Sequence, residues 1–299
     1  MPKTGKRIKT IKSVFIVILF GTAGIGALLA VLTLVFGLSW FPDATEKIAY
    51  KRLEHRTLST LVFRPPNHNI GDGDPCIVWF FGGAWRGGSP YQFAPYAEHF
   101  TKLGIVSICP DYRVASRDGS TPFESTEDAI SAMRWVRRNS NGLGIDPHRI
   151  AAAGASAGGQ LAASCAFLPE DESLAPESYA SPIPNALILF NPVLDFDIPK
   201  IREHSSQEEQ VRLRQIAPYH QMKNLPSPTI IFHGTADRVV PIDSVERFMT
   251  RASTLGPQSI TLVTFPGRPH DFFVDGGGDD LRIIQKIEEF LQSLDWIEN

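Results

Sequence analysis

Read from its amino terminus, the chain changes character twice. Residues 1–12 are polar and basic, and then no charged residue occurs from Ser13 to Trp40, where the run from Val14 to Leu38 holds 25 apolar or small residues. At about 1.5 Å per residue, a helix of that length crosses a hydrocarbon core of about 30 Å. The pattern predicts one transmembrane helix over 13–40, a polar linker over 41–57 and a folded domain over 58–299. Within that domain strand-like and helix-like stretches alternate, which predicts an α/β fold with a mostly parallel central sheet and helices on both faces.

The expected strands are Leu58–Arg64, Cys76–Phe81, Ile105–Cys109, Ile150–Gly154, Ala186–Phe190, Thr229–Phe232 and Ile260–Phe265. The central ones are near-continuous apolar runs, as strands covered on both faces must be. Helical periodicity marks Ser125–Asn139, Ser244–Ala252 and Asp280–Leu294, the last with Leu281, Ile284, Ile287, Leu291 and Leu294 on one stripe. Residues 169–185 are rich in Pro, Ser and Glu and read as an exposed loop. The charged stretch 197–216 reads either as a small cap over a site or as a plain connecting excursion. No internal repeat and no second domain are visible.

Charge refines the picture. The first twelve residues carry Lys3, Lys6, Arg7, Lys9 and Lys12 and no acid, which leaves 24 basic against 32 acidic residues in the remainder. An acidic body is a poor polyphosphate binder, which argues against nucleic acid as a partner. Cytoplasmic flanks keep Lys and Arg, and beyond the span Lys47, Lys51 and Arg52 are offset by Asp43, Glu46 and Glu54. The expected topology is therefore a cytoplasmic amino terminus with the domain outside, Trp40 and Phe41 sitting at the outer interface. A cleaved signal with secretion is the minority reading, because signal peptides have apolar stretches of only about 7–15 residues and Ser39-Trp40-Phe41-Pro42 offers no small-x-small site. Cys76, Cys109 and Cys165 all lie in apolar segments, so they are read as small buried hydrophobes and not as a disulfide framework.

Candidate chemistry centres on Gly154-Ala155-Ser156-Ala157-Gly158, a G-x-S-x-G between the apolar strand at Ile150 and a small-residue helix at Gly159–Ala166. That strand–turn–helix setting is what a nucleophile elbow requires. The motif alone is weak, because small residues at this spacing also serve tight helix–sheet packing. Order strengthens it. A serine hydrolase on such a sheet needs an acid and then a histidine at the ends of later strands. The strand at Thr229 runs into His233-Gly234-Thr235-Ala236-Asp237, and the strand at Ile260 into Pro266-Gly267-Arg268-Pro269-His270. Asp195, just past another strand, is the rival acid. Upstream, the strand at Cys76 feeds Gly82-Gly83-Ala84-Trp85, a turn whose backbone N–H groups can meet an oxyanion together with that of Ala157. Asp275-Gly-Gly-Gly-Asp279-Asp280 lacks metal-ligand spacing and reads as an acidic turn; no metal or cofactor is expected.

With these residues in place, the stretches FFGGAWRGGS, CPDYRV, TPFESTEDAISAMRWV, GIDPHRIAAAGASAGGQLA, LFNPVLD, IIFHGTADRVVP and FPGRPHDFF resemble the α/β-hydrolase superfamily, in the esterase branch related to hormone-sensitive lipase and to bacterial acetyl-xylan and feruloyl esterases. The resemblance covers about Leu58 to Leu294. It implies Ser156 as nucleophile, Asp237 as orienting acid, His270 as base, and Gly82, Gly83 and Ala157 as oxyanion donors. Two positions depart from the family pattern. Phe81 stands where a His usually precedes the glycines, and Asp271 stands where a small Gly usually follows the catalytic His.

The expected function is a membrane-anchored serine carboxylic-ester hydrolase acting on short, acetyl-type esters, with a small-molecule or carbohydrate ester as substrate. The alternatives are a membrane-tethered lipid or lysophospholipid esterase, against which the charge of 197–216 speaks, and a hydrolase fold reused as a binding module. The sequence leaves the natural ester and the oligomeric state open.

Overall fold

The computed structural model describes residues 44–71, 73–168, 180–223, 227–256, 259–274 and 278–298. The expected membrane span at 13–40, the basic tail before it and most of the 169–185 loop lie outside the described residues. Among the described residues no helix is long and apolar enough to cross a membrane.

Eight strands form one sheet: β1 (Glu46–Arg52), β2 (Thr57–Phe63), β3 (Asp74–Phe80), β4 (Val106–Pro110), β5 (Ile145–Ala155), β6 (Ala186–Phe190), β7 (Thr229–Gly234) and β8 (Ile260–Phe265). Their order is β1-β2-β4-β3-β5-β6-β7-β8. The β1–β2 and β2–β4 pairs are antiparallel and all others parallel. The longer helices are α1 (Ala94–Thr101), α2 (Pro122–Arg138), α3 (Ala157–Phe167), α4 (Gln207–Leu213), α5 (Ile242–Ser253) and α6 (Asp280–Gln292).

Alternation along the central strands divides the core into two layers. Cys76, Val78 and Phe80 of β3 and Leu187 and Leu189 of β6 face the layer covered by α2, α3 and α5. Ile77, Trp79, Ile188 and Phe190 face the opposite layer, covered by α1 and α6. Both faces being buried explains why these strands read as unbroken apolar runs. The three cysteines are free and buried in these layers.

Several elements differ from expectation. The stretch 41–57, read as a linker, contains β1, which exposes Lys47, Ala49 and Arg52 while Ile48 and Tyr50 pack on the core; an edge strand with one wet face carries only a short apolar signal. Helix α1 was not expected, because only eight residues carry its pattern and a Pro stands near its start. Helix α2 begins three residues earlier than Ser125, since Thr121 and Glu124 form a reciprocal capping box and Pro122 occupies the first turn. In α6 the buried line is Ile283, Ile287 and Leu291, and Leu281 is exposed.

From β3 the chain goes outward to β4 and then returns to β5 on the other side of β3, so the carboxyl ends of β3 and β5 flank a topological switch point, where open α/β sheets hold their ligands. The approach there is very close. A Cβ on Gly158 would lie 2.1 Å from the Phe80 carbonyl oxygen and 2.3 Å from that of Phe81. Gly158→Ala is therefore expected to cost at least about 3 kcal/mol, since backbone has to move; urea unfolding of the variant against wild type measures it.

Candidate active site

Ser156 joins β5 to α3 in a backbone conformation that non-glycine residues rarely adopt, φ 54° and ψ −116°. Such a conformation costs about 1–3 kcal/mol and persists only where the surroundings fix it. Here the Ser156 N–H donates to the Phe190 carbonyl at 2.9 Å, and the Ser156 carbonyl accepts from Gln160 at 3.1 Å and Val193 at 3.2 Å. The hydroxyl is thereby pushed out at the carboxyl end of the sheet.

His270, on the loop after β8, meets it. The Ser156 Oγ lies 3.0 Å from His270 Nε2, and His270 Nδ1 lies 2.6 Å from Asp237 Oδ2. The tautomer that suits both bonds carries its proton on Nδ1, donates it toward Asp237 and leaves Nε2 to accept from the serine. The other Asp237 oxygen accepts from the backbone N–H groups of Val239 and Val240 at 2.8 and 2.9 Å. Burial pushes this carboxyl upward, but the bond and charge of His270 and the two amides outweigh it and hold Asp237 below the usual carboxylate range. The rival acid is turned elsewhere. Asp195 lies 3.3 Å from His220 Nε2, 3.9 Å from an Arg247 nitrogen, and accepts from the Asp197 N–H.

The glycine turn after β3 differs in part from expectation. The Gly82 N–H donates to Gln92 Oε1 at 2.6 Å, so it is already committed and does not face the serine as a free donor. The N–H groups of Gly83, Ala84 and Ala157 make no hydrogen bond among the described residues. Gly83 and Ala84 take positive φ, 130° and 53°, and a Cβ on Gly83 would sit 2.3 Å from the Gly87 carbonyl oxygen. The turn is held without an imidazole. The Phe81 ring stacks on Tyr112 at 4.0 Å, and the Tyr112 hydroxyl donates to the Phe81 carbonyl at 2.6 Å. Trp85, next along, donates to Gln160 on α3, whose amide nitrogen reaches Thr126, Ser164 and the Ile216 carbonyl.

These groups open into a cavity of about 330 Å³ that Gly82, Gly83, Ala84, Ser156, Asn191 and His270 line, with Val239, Phe273 and Val274 on its apolar side. Asp271 also lines it, exposed and making no bond to His270. The segment 197–216 is a wall: it packs Leu213 and Ile216 inward and lines a neighbouring cavity of about 360 Å³ that shares Ala84 with the first. Sequence reasoning missed Gln92, Ala84 and Asn191. A lone polar residue in a turn or just past a strand carries no pattern, and nothing in the letters Gly82-Gly83-Ala84 says which of their amides stay unbonded.

A parallel-centred sheet with a strained serine turn after its central strand, and with acid and histidine beyond the ends of later strands, is the arrangement of an α/β-hydrolase, and the proteins the chain matches put it in the esterase type related to hormone-sensitive lipase. The chain belongs to the BD-FAE family, whose model matches residues 62–251. Among solved structures it is similar to a thermophilic esterase from Thermogutta terrifontis with propionate bound, at 36% identity and a TM-score of 0.77 over 87% of this chain and 98% of that one. Curated relatives include the isoprenylcysteine alpha-carbonyl methylesterase ICME of Arabidopsis thaliana, 27% identical over 72% of this chain and 56% of that one. The carboxylesterase NlhH of Mycobacterium tuberculosis is 35% identical over 40% of this chain and 39% of that one. The chain spans about half the length, or less, of the curated relatives it matches.

Two predictions follow from this geometry. Asp237→Asn should lower kcat on a reporter ester by roughly 10³–10⁴ with the fold intact, whereas Asp195→Asn should cost about 1 kcal/mol of stability and little activity; steady-state kinetics with circular dichroism separates the two. The second concerns His233, fully buried behind Asp237, with Nε2 donating to the Val240 carbonyl at 2.9 Å and Nδ1 unpartnered. Burial holds this imidazole below its ordinary value. The unfolded chain then takes up a proton that the folded ring refuses, so stability is present above about pH 6.5 and is lost as pH falls from there toward the lowered value. His233→Gln, which keeps a donor for Val240, should flatten the fall in Tm between about pH 6.5 and 5; Asp237 adds its own loss only below about pH 4. An unchanged slope would show that His233 does not carry the effect.

Proposed function

We propose that the chain is a serine carboxylic-ester hydrolase that cleaves short, acetyl-type esters through an acyl-enzyme. The observation that carries this reading is the continuous hydrogen-bonded chain from Ser156 through His270 to Asp237, at 3.0 and 2.6 Å. Ser156 attacks the ester carbonyl while His270 Nε2 takes its proton, and Asp237 balances the imidazolium that forms. The tetrahedral oxyanion is met by the N–H groups of Gly83, Ala84 and Ala157. The imidazolium returns its proton to the leaving alcohol, and water, deprotonated by the same ring, then releases the acid. A cavity of about 330 Å³ at the serine favours a small ester, and the similar Thermogutta esterase is described with propionate and with butyrate bound.

In this reading the uncharged run Ser13–Trp40 anchors the domain, with the basic tail in the cytoplasm and the hydrolase outside. What supports it is the length of the run and the five basic residues ahead of it. The ester offered there is small or carbohydrate-borne.

The chain should be labelled at Ser156 by a fluorophosphonate and should hydrolyse p-nitrophenyl acetate and butyrate faster than long-chain esters. Ser156→Ala should abolish labelling and lower kcat by about 10⁴–10⁶. Labelling that survives the substitution removes the nucleophile assignment, a preference for long acyl chains or lysophospholipid favours the lipid esterase, and full inertness of the wild type favours a binding module. Protease added to spheroplasts should digest the domain and spare an amino-terminal tag; the reverse pattern overturns the topology, and a mature chain starting near residue 40 overturns the anchor.

A further inference from the structure

The mechanism above leaves one fully buried polar side chain at the site without a role. Asn191 follows β6 directly, between the strand ends that carry Ser156 and Asp237, and its own N–H donates to the Phe232 carbonyl at 2.8 Å. Its backbone is left-handed, φ 36°, a conformation that Asn tolerates better than most residues. Its side-chain nitrogen lies 3.1 Å from His270 Nδ1 and 3.1 Å from Nε2. An atom equally close to both ring nitrogens cannot lie in the ring plane beyond Cε1 without overlapping that carbon, so the amide sits on the face of the imidazole. Both in-plane directions are already used, Nδ1 by Asp237 and Nε2 by Ser156. The Asn191 Oδ1 is buried with no hydrogen-bond partner, so the amide is held in place at the cost of an unmet acceptor.

We propose that Asn191 is a positioning residue for His270: its amide clamps the ring in the plane shared by Ser156 and Asp237 and favours the neutral, base-ready imidazole at rest. This rests on reading His270 as the base. A face-on N–H is attracted to the π-cloud of a neutral ring and repelled by a cationic one, an effect of modest size. The clamp removes a rotation that would otherwise break both in-plane bonds. The other charged or titratable groups around the ring are Asp237 with His233 behind it on β7, and Asp271 and Arg268 on the ring's own loop, the latter paired with Asp279. From the β6 side the ring meets the neutral Asn191.

Asn191→Gly removes the amide and accepts the left-handed backbone without strain. Compared with wild type, its rate of fluorophosphonate labelling at the pH plateau should fall about three- to tenfold, and the acid limb of the labelling profile should move up by about half a pH unit. NMR titration of the His270 ring in the resting protein should show the same upward displacement, which does not depend on any ester being a substrate. A limb and titration that stay in place, or move down, overturn the proposal, whatever the plateau does. Should the Gly variant not fold, the wild type still decides. Asn191 amide protons lying on the ring face resonate upfield and shift as His270 titrates, and amide resonances without either property overturn it. A wild type that shows both NMR properties but no labelling at Ser156 counts against the esterase reading and leaves the clamp standing.

Discussion

The helix that follows β5 approaches β3 so closely that its second residue has no room for a Cβ. The hypothetical atom on Gly158 meets two successive carbonyl oxygens, those of Phe80 and Phe81, well inside van der Waals contact. This approach sets the site. It brings the end of α3, with its unbonded first N–H at Ala157, beside the turn that begins at Gly82. It also leaves Ser156 no path from strand to helix except a strained one. The Phe81 carbonyl that crowds Gly158 is the one Tyr112 binds, so the position of the turn and the position of the helix are fixed through the same atom.

The strain at Ser156 is offset by neighbours and not by the residue itself. β6 supplies an acceptor to its N–H through Phe190, and the chain just beyond supplies a donor to its carbonyl through Val193. The same segment carries Asn191 onto the His270 ring. β6 thus serves nucleophile and base together, although it contributes neither. On its far side β7 brings a second histidine against the acid. His233 is 3.5 Å from Asp237 Oδ2, yet its Nε2 is bound to the Val240 carbonyl, so it stands as a neutral spacer that leaves Asp237 to a single imidazole.

Much of this was legible in the sequence because its causes are local. Apolar runs of five or six residues between turn signals mark strands buried on both faces, and glycines flanking a serine mark a turn with no space for side chains. The order serine, aspartate, histidine, each past a strand, brings them to one sheet edge once the strands are parallel. What the sequence hid depends on contacts distant in the chain. β1 is half wet, and its charged pairs Glu46-Lys47 and Lys51-Arg52 leave only three uncharged residues between them, so its pattern resembled a linker. Gly82 and Gly83 are alike as letters, but Gln92, ten residues on, takes the first amide and leaves the second. Asn191 is one polar residue after a strand until the fold lays a ring against it. Asp195 stood as a rival to the preferred Asp237 because it too lies just past a strand; the fold draws it to His220 and Arg247, groups supplied by segments 25 or more residues away.

The exchange of an imidazole for Phe81 shows how such a turn can be held by different physics. A histidine there would fix the loop through directional hydrogen bonds. Phe81 fixes it by a stacked contact with Tyr112 at 4.0 Å and 13°, in a setting where both rings are fully buried. Stacking of this kind contributes about 0.5–1.5 kcal/mol beyond burial, which is on the scale of a net hydrogen bond. It also places the Tyr112 hydroxyl on the Phe81 carbonyl, so directionality comes from the partner ring instead. A Cβ on Gly88 would strike the Phe81 ring at 2.4 Å, and Gly88 has φ 115°, so the far arm of the loop closes over the aromatic pair. The turn is therefore shaped around a larger side chain at its root and a missing one at its return. The amides of Gly83 and Ala84 keep their place because the backbone that carries them is packed from both sides.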